Sequence, residues 1–265
     1  MPKIHLVGIL NVTPDSFSDG GRYLDPQKAL NKAQSLIENG ADLIDIGADS
    51  TRPGSECVGS KIEQERLEPV LSLLSDYKIP FAVDTHIAET AQFAIEHGAS
   101  MINDVSGGYD SEMFSVISKS NTENKVKYVL MYSRCTPPHE FSEESDGNIL
   151  KVIKGFFEEK IDLALQAGVD REQIILDTGM GKFISDSPQR SWQVARGFAE
   201  LSDLQLPLYI GASRKGFLKL PLETCVEERD YLSAYIGKLA AQSLPENQQL
   251  FIRTHNILMQ KQLLS

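Results

Sequence analysis

Short apolar runs alternate along this chain with longer stretches in which apolar residues recur every three to four positions. The runs lie at 4–10, 43–46, 81–83, 100–102, 127–131, 173–176, 208–210 and 249–252. Most are β-branched or continuously apolar, the texture of strands buried on both faces. The stretches between them predict helices near 27–39, 61–76, 87–97, 110–119, 148–167, 188–202, 228–243 and 257–264. Gly40, Gly98 and Gly168 stand where helix C-caps belong. Eight strands, each followed by a helix, in about 250 residues predict a (β/α)8 barrel forming a single domain over residues 1–265. A doubly wound open sheet competes, but it usually carries a Gly-rich dinucleotide fingerprint after the first strand, which is absent here. The polar segment 133–146 reads as a long loop before the fifth helix, and 153, 156, 157 and 161 read as that helix's packing stripe.

Charge narrows the partners. With 37 Asp and Glu against 26 Lys and Arg, the net charge of −11 opposes nucleic acid and anionic membrane surfaces, so the expected partner is a small molecule. Cys57, Cys135 and Cys225 show no CxxC or Cys/His ligand spacing, which argues against a disulfide framework or structural zinc. The first apolar run is too short for a signal segment or a membrane span. These features together predict a cytoplasmic protein.

In such a barrel the active site is built at the C-terminal ends of the strands. Those ends are polar here. Strand one delivers Asn11; strand two Asp45, Asp49, Ser50, Thr51 and Arg52; strand three Asp84, Thr85 and His86; strand four Asn103 and Asp104. Strand six delivers Asp177, strand seven Ser213, Arg214 and Lys215, and strand eight Arg253, Thr254, His255 and Asn256. One Asp or Asn at a strand end is ordinarily a turn former or a helix cap. Carboxylates and amides converging with cations on one mouth describe something else, a polar heterocycle site beside an anion site. Two residues apart on the last strand, Arg253 and His255 are expected on one face. His5 is expected to be structural.

Seven motifs sharpen this reading. Residues 8–21 (GILNVTPDSFSDGG), the loop Ser50-Thr51-Arg52-Pro53-Gly54, Asp84-Thr85, Asn103-Asp104, Asp177-Thr178-Gly179-Met180-Gly181, Ser213-Arg214-Lys215 and Arg253 with His255 resemble, in order, the dihydropteroate synthases. The resemblance implies a transferase of folate biosynthesis, which joins p-aminobenzoate to 7,8-dihydropterin-6-ylmethyl diphosphate and releases diphosphate. It implies that Asp84, Asn103, Met131, Asp177 and Lys215 hold the pterin. Asn11, Thr51, Arg253 and His255 are then expected around the diphosphate, with Asn11 also touching Mg2+. Asp84, Lys215, Arg253 and His255 are the expected catalytic groups, and the family's habit implies a homodimer. Asp177 can accept paired hydrogen bonds from a 2-amino-4-oxo ring edge, Asn103 offers it an amide, and Lys215 donates to it.

Departures from the family gather on the aryl-amine side. Lys182 stands where the family has an aromatic residue, with Phe183 one position later, and Gly216 stands where it often has Ser. Arg52, Lys182, Phe183, Ser213 and Gly216 are nevertheless the expected p-aminobenzoate contacts. Backbone N–H groups and the dipole of a helix starting at Gly216 are expected to receive the carboxylate. The short sixth-strand motif and the Arg-Thr-His ending resemble the sulfonamide-insensitive branch. Two other functions stay open: a pterin-binding homologue without turnover, and a methyltetrahydrofolate:corrinoid methyltransferase, which would need no diphosphate clamp. Because both substrates are anions, Arg52, Lys182, Arg214, Lys215 and Arg253 are expected to make the mouth locally positive on an acidic barrel.

Overall fold

The computed structural model describes residues 1–13, 25–49, 58–120, 125–134, 147–223 and 225–265. Eight parallel strands, β1 (Lys3–Asn11), β2 (Leu43–Gly47), β3 (Phe81–Asp84), β4 (Met101–Asp104), β5 (Lys127–Met131), β6 (Ile174–Asp177), β7 (Leu208–Ile210) and β8 (Gln249–Thr254), close in chain order into a barrel, β8 pairing with β1. Around it run α1 (Pro26–Glu38), α2 (Ser60–Asp76), α3 (Ala88–Glu96), α4 (Met113–Lys119), α5 (Ile149–Gln166), α6 (Pro188–Gly197), α7 (Asp230–Ser243) and α8 (Ile257–Leu264). The expected (β/α)8 architecture is present. The largest shortfalls from the expected helices have local causes or late starts: α4 begins only at Met113, α6 gives way to tight 3-10 turns over Phe198–Leu204, and α7 is preceded by one over Val226–Arg229.

Local chemistry sets the helix starts. The Asp25 carboxylate accepts from the backbone N–H of Gln27 and Lys28, and Pro26 supplies a preset φ at the first position of α1. Asn148 caps α5 in the same way through Leu150 N–H. On α5, Ile153, Phe157 and Ile161 are buried and Phe156 packs against them, as a packing stripe should.

Side-chain alternation along the strands builds the interior. Val7, Leu43, Ala82, Met101, Val129, Ile175 and Tyr209, with Phe251 against them, form an apolar plug inside the barrel. Each aliphatic side chain there contributes roughly 1.5–3 kcal/mol by leaving water. His5 stacks on Phe251 with ring centroids 4.6 Å apart, a structural place as expected. Two residues further along the same eight strands stand Ile9, Asp45, Asp84, Asn103, Met131, Asp177, Gly211 and Arg253. A strand repeats its facing every second residue, so an apolar floor lies directly under a polar layer.

Candidate active site

The polar layer is held by register and hydrogen bonds. Asn11 pairs with Gly47, Gly47 with Asp84, and Asp84 with Asn103, so one rung carries three of the expected site residues. Across the barrel the Arg253 guanidinium enters between two carboxylates. Its Nε donates to Asp45 Oδ2, and its Nη2 donates to Asp84 Oδ2 at 2.9 Å. Asn103 Nδ2 donates to the same Asp45 oxygen at 3.1 Å. Gly211 adjoins this layer just after β7, where even a Cβ would make only ordinary contacts, 3.8 Å from Arg253 Cδ and 3.9 Å from Asp177 Oδ2.

Asp177 closes β6 and is fixed by the turn after it. Its Oδ1 accepts from Gly179 N–H at 2.8 Å, and Gly179 has φ +62°. A Cβ at Gly179 would run into the Tyr132 carbonyl oxygen, so the turn requires glycine. Lys215 Nζ donates to the Met180 carbonyl at 3.1 Å and lies 4.7 Å from the Phe183 ring centroid. Phe183 packs with Met131 and Val105 as the site's apolar wall.

Burial shapes the charges. It pushes the Asp84 carboxyl up to about 7, Arg253 opposing and Asp45 assisting, and the Asp177 carboxyl up to about 6, with Lys215 opposing. It lowers Lys215 to about 8, against the pull of Asp177. Arg253 is driven the other way: burial alone would lower it, but Asp45 and Asp84 hold it firmly charged. Asp45 Oδ1, Asp84 Oδ1 and Asn103 Oδ1 are buried acceptors without a hydrogen-bond partner among the described residues. A mouth with aligned spare acceptors and two cations suits an N–H-bearing ring next to an anion.

Comparison with known proteins meets this geometry. A family model described as pterin binding enzyme matches residues 7–243. The type-3 dihydropteroate synthase of Escherichia coli is 40% identical over 226 residues, 84% of this chain and 84% of that protein. The Xanthomonas albilineans dihydropteroate synthase with 4-aminobenzoic acid superposes with a TM-score of 0.86 at 32% identity, covering 99% of this chain and 91% of that one. The Anaplasma phagocytophilum enzyme with bound 6-hydroxymethylpterin-monophosphate gives 0.84 at 33% identity, covering 99% and 97%.

The chain belongs to the dihydropteroate synthase family of pterin-binding enzymes.

Within the dihydropteroate synthase framework, Asp84, Asn103, Met131, Asp177, Lys215 and Arg253 line one mouth, and Asn11 ends β1 on the same rung, exposed. Thr51, Arg52 and most of the first motif, from Pro14 onward, lie outside the described residues, as do Cys57, Cys135 and positions 135–146 of the expected loop.

Three expected positions are placed more closely by the structure. β8 ends at Thr254, one residue before His255, whose Nδ1 lies 2.9 Å from Ser213 Oγ. Burial, with Arg253 and Arg214 assisting, lowers that imidazole to about 3, so it is neutral at pH 7. Gly216 opens only a three-residue 3-10 turn, Gly216–Leu218, too short to carry the helix dipole expected there. Lys182 is exposed, with its carbonyl accepting from Arg134 Nε, while the Phe183 ring sits against Met131 beside Lys215.

The positive mouth does not form among the described residues. Arg214 turns away to Asp230 and Glu227, and Arg253 and Lys215 face Asp45, Asp84 and Asp177. Two cations against three carboxyl groups leave the inner mouth near balance, all the more so because two of those acids take up protons near neutral pH.

Two residues at the site escaped the motif reading. Asp45 was visible only as one more polar strand end; its inward facing follows from Leu43 below it. Glu63 of α2 is fully buried and accepts from Thr85 Oγ1 at 2.9 Å, directly behind Asp84. The available signal was a carboxylate at an apolar stripe position, with Leu67, Val70, Leu71 and Leu74 on the same buried face.

Proposed function

We propose that this chain condenses p-aminobenzoate with 7,8-dihydropterin-6-ylmethyl diphosphate to give 7,8-dihydropteroate and diphosphate. The observation that carries the reading is the convergence of Asp84, Asn103, Asp177, Lys215 and Arg253 on one mouth above an apolar floor. Asp177, locked by Gly179, accepts from the ring's amino and N–H groups, and Lys215 donates to its carbonyl edge. The pterin lies between the polar layer and the wall of Met131 and Phe183.

Reaction begins with cleavage of the methylene C–O bond, the electron pair leaving on diphosphate. Charge left on the methylene spreads into the ring, where the Asp84 carboxylate stabilises it. The aryl amine attacks this carbon and loses a proton, so no covalent intermediate on the chain is needed. Arg253, and with it Thr51 and His255, belongs on the diphosphate side; Arg52, Ser213 and the Gly216 turn belong on the aminobenzoate side.

A magnesium ion would neutralise the leaving diphosphate. Among the described residues no group of three or more His, Cys, Asp or Glu is disposed to hold a metal. Asn11, exposed at the end of β1, would offer one hard amide oxygen to a Mg2+ brought in by the diphosphate. We read the chain as a cytoplasmic homodimer; exposed Tyr231 and Tyr235 on α7 and Leu258 on α8 support the dimer, and light scattering at one chain's mass would refute it. None of the described helices is long and apolar enough to cross a membrane.

The decisive experiment is steady-state release of diphosphate from the pterin diphosphate on adding p-aminobenzoate with Mg2+. Release that depends on all three supports the reading. Tight pterin binding with no release would make the chain a binding homologue instead.

A further inference from the structure

Asp45 has no part in the reaction just described, yet it is the acid most completely removed from solvent in the mouth. Its position is specific. Oδ2 takes donors from two different strands, Asn103 Nδ2 on β4 and Arg253 Nε on β8, while Oδ1 has no partner among the described residues. A primary amide has a donor end and an acceptor end, whereas an ionised carboxylate only accepts. Asp45 therefore captures the NH2 end of Asn103; the reversed amide would set two oxygens against each other at about hydrogen-bonding distance. Asn103 Oδ1 is consequently the end left over, buried and unpartnered, one rung position from the equally unpartnered Asp84 Oδ1.

The geometry points to Asp45 as a positioning and specificity-determining residue: it sets the polarity of Asn103, so the site reads an N–H donor on the ring edge and rejects a ring bearing a lone pair there. The inference rests on the pterin reading of the mouth. A merely structural Asp45 would support the strand ends without affecting which ring edge Asn103 accepts. Losing a buried donor partner costs affinity in proportion to the acceptor left unpaired, so the proposal concerns discrimination between ligands as well as binding strength.

Three probes test it by calorimetry: 6-hydroxymethyl-7,8-dihydropterin; its oxidised form, which lacks the N8–H and bears a lone pair there; and, as a control whose lost donor faces Asp177, the 2-deamino analogue, whose penalty Asp45→Ala should leave unchanged. In the unaltered chain, deleting the donor that faces Asn103 should lower affinity by at least about tenfold. In Asp45→Ala the amide is free to turn, and that penalty should fall below about threefold, whereas Asp45→Asn can retain an acceptor and should preserve it. Equal penalties for the oxidised form in the unaltered chain and Asp45→Ala, or no such penalty in the unaltered chain, would overturn the proposal.

A second measurement needs no Asp45 variant to fold. With 15N-labelled asparagine, the Asn103 side-chain NH2, identified by its loss in Asn103→Asp, should exchange with solvent far more slowly than exposed amides. Exchange as fast as theirs would refute the assignment. If the unaltered chain binds none of the three ligands, the pterin reading itself fails, and the exchange measurement still decides what Asp45 does.

Discussion

Arg253 Nη2 lies 2.9 Å from Asp84 Oδ2, so the cation assigned to the leaving group is held by the carboxylate assigned to the ring. With Asp45 on its Nε, the guanidinium sits between two buried acids. Removing it would leave Asp45 with the Asn103 amide and Asp84 with the charge of Lys215 in place of an ion pair, and breaking a buried pair typically costs about 3–5 kcal/mol. Arg253→Ala should therefore lose about 3 kcal/mol of unfolding free energy in urea, together with at least about tenfold in turnover. Unchanged stability would mean that this bridge does not hold the two strands in solution.

The pKa values predict the pH dependence of the reaction. Asp177 and Asp84 must be ionised, and they are charged above about 6 and about 7; Lys215 must keep its proton, which it does below about 8. kcat/KM should thus fall on the acid side as pH drops through 7 to 6, and on the alkaline side as it rises through 8. Lys215→Arg should abolish the alkaline limb, because a guanidinium stays charged there. An alkaline limb that survives in Lys215→Arg would remove Lys215 as its source.

Glu63 makes a separate prediction about stability. Burial raises its carboxyl to about 7, with the hydrogen bond from Thr85 opposing, whereas the unfolded chain titrates near 4.5. A raised folded-state pKa means that the native chain binds the extra proton between these values. Stability from this group is full below 4.5 and is lost as pH rises through 7, by roughly 3 kcal/mol. Glu63→Gln keeps an acceptor for Thr85 and cannot ionise, so its unfolding free energy should hold up better from pH 5 to pH 8. Parallel pH curves for the two proteins would refute it.

Most of the barrel was legible because its strands and helices obey simple periods. The strand ends were not: β3, β4, β6 and β8 run on through Asp84, Asp104, Asp177 and Thr254. A hydropathy reading stops where side chains turn polar, but the backbone ladder continues under them, as in the pairing of Asp84 with Asn103. That extension is what makes Asn103 face inward while Asp104 faces outward to the Tyr128 hydroxyl at 2.6 Å. The motifs located Asp177, Lys215 and Arg253 without showing who partners them. Arg253 was assigned by its charge to an anion; its contacts with Asp45 and Asp84 depend on strands more than 160 positions away in sequence, which no local pattern reveals.

The aryl-amine side carries the last prediction. Lys182 is exposed, Phe183 is drawn against Met131 beside Lys215, and Gly216 carries no hydroxyl and opens only a short turn. A sulfonamide drug competes for the aminobenzoate place, and it is bulkier beyond the aryl ring than the carboxylate it mimics. A wall rebuilt at these positions can still take a planar carboxylate while fitting a tetrahedral sulfonyl group poorly. The expected result is an inhibition constant for a sulfonamide at least about tenfold above the KM for p-aminobenzoate, a discrimination of the size one misfitted group supplies. Moving the aromatic ring back, as Lys182→Phe with Phe183→Gly, should narrow that gap. Ordinary competitive inhibition of the unaltered chain, at concentrations near that KM, would sink the prediction.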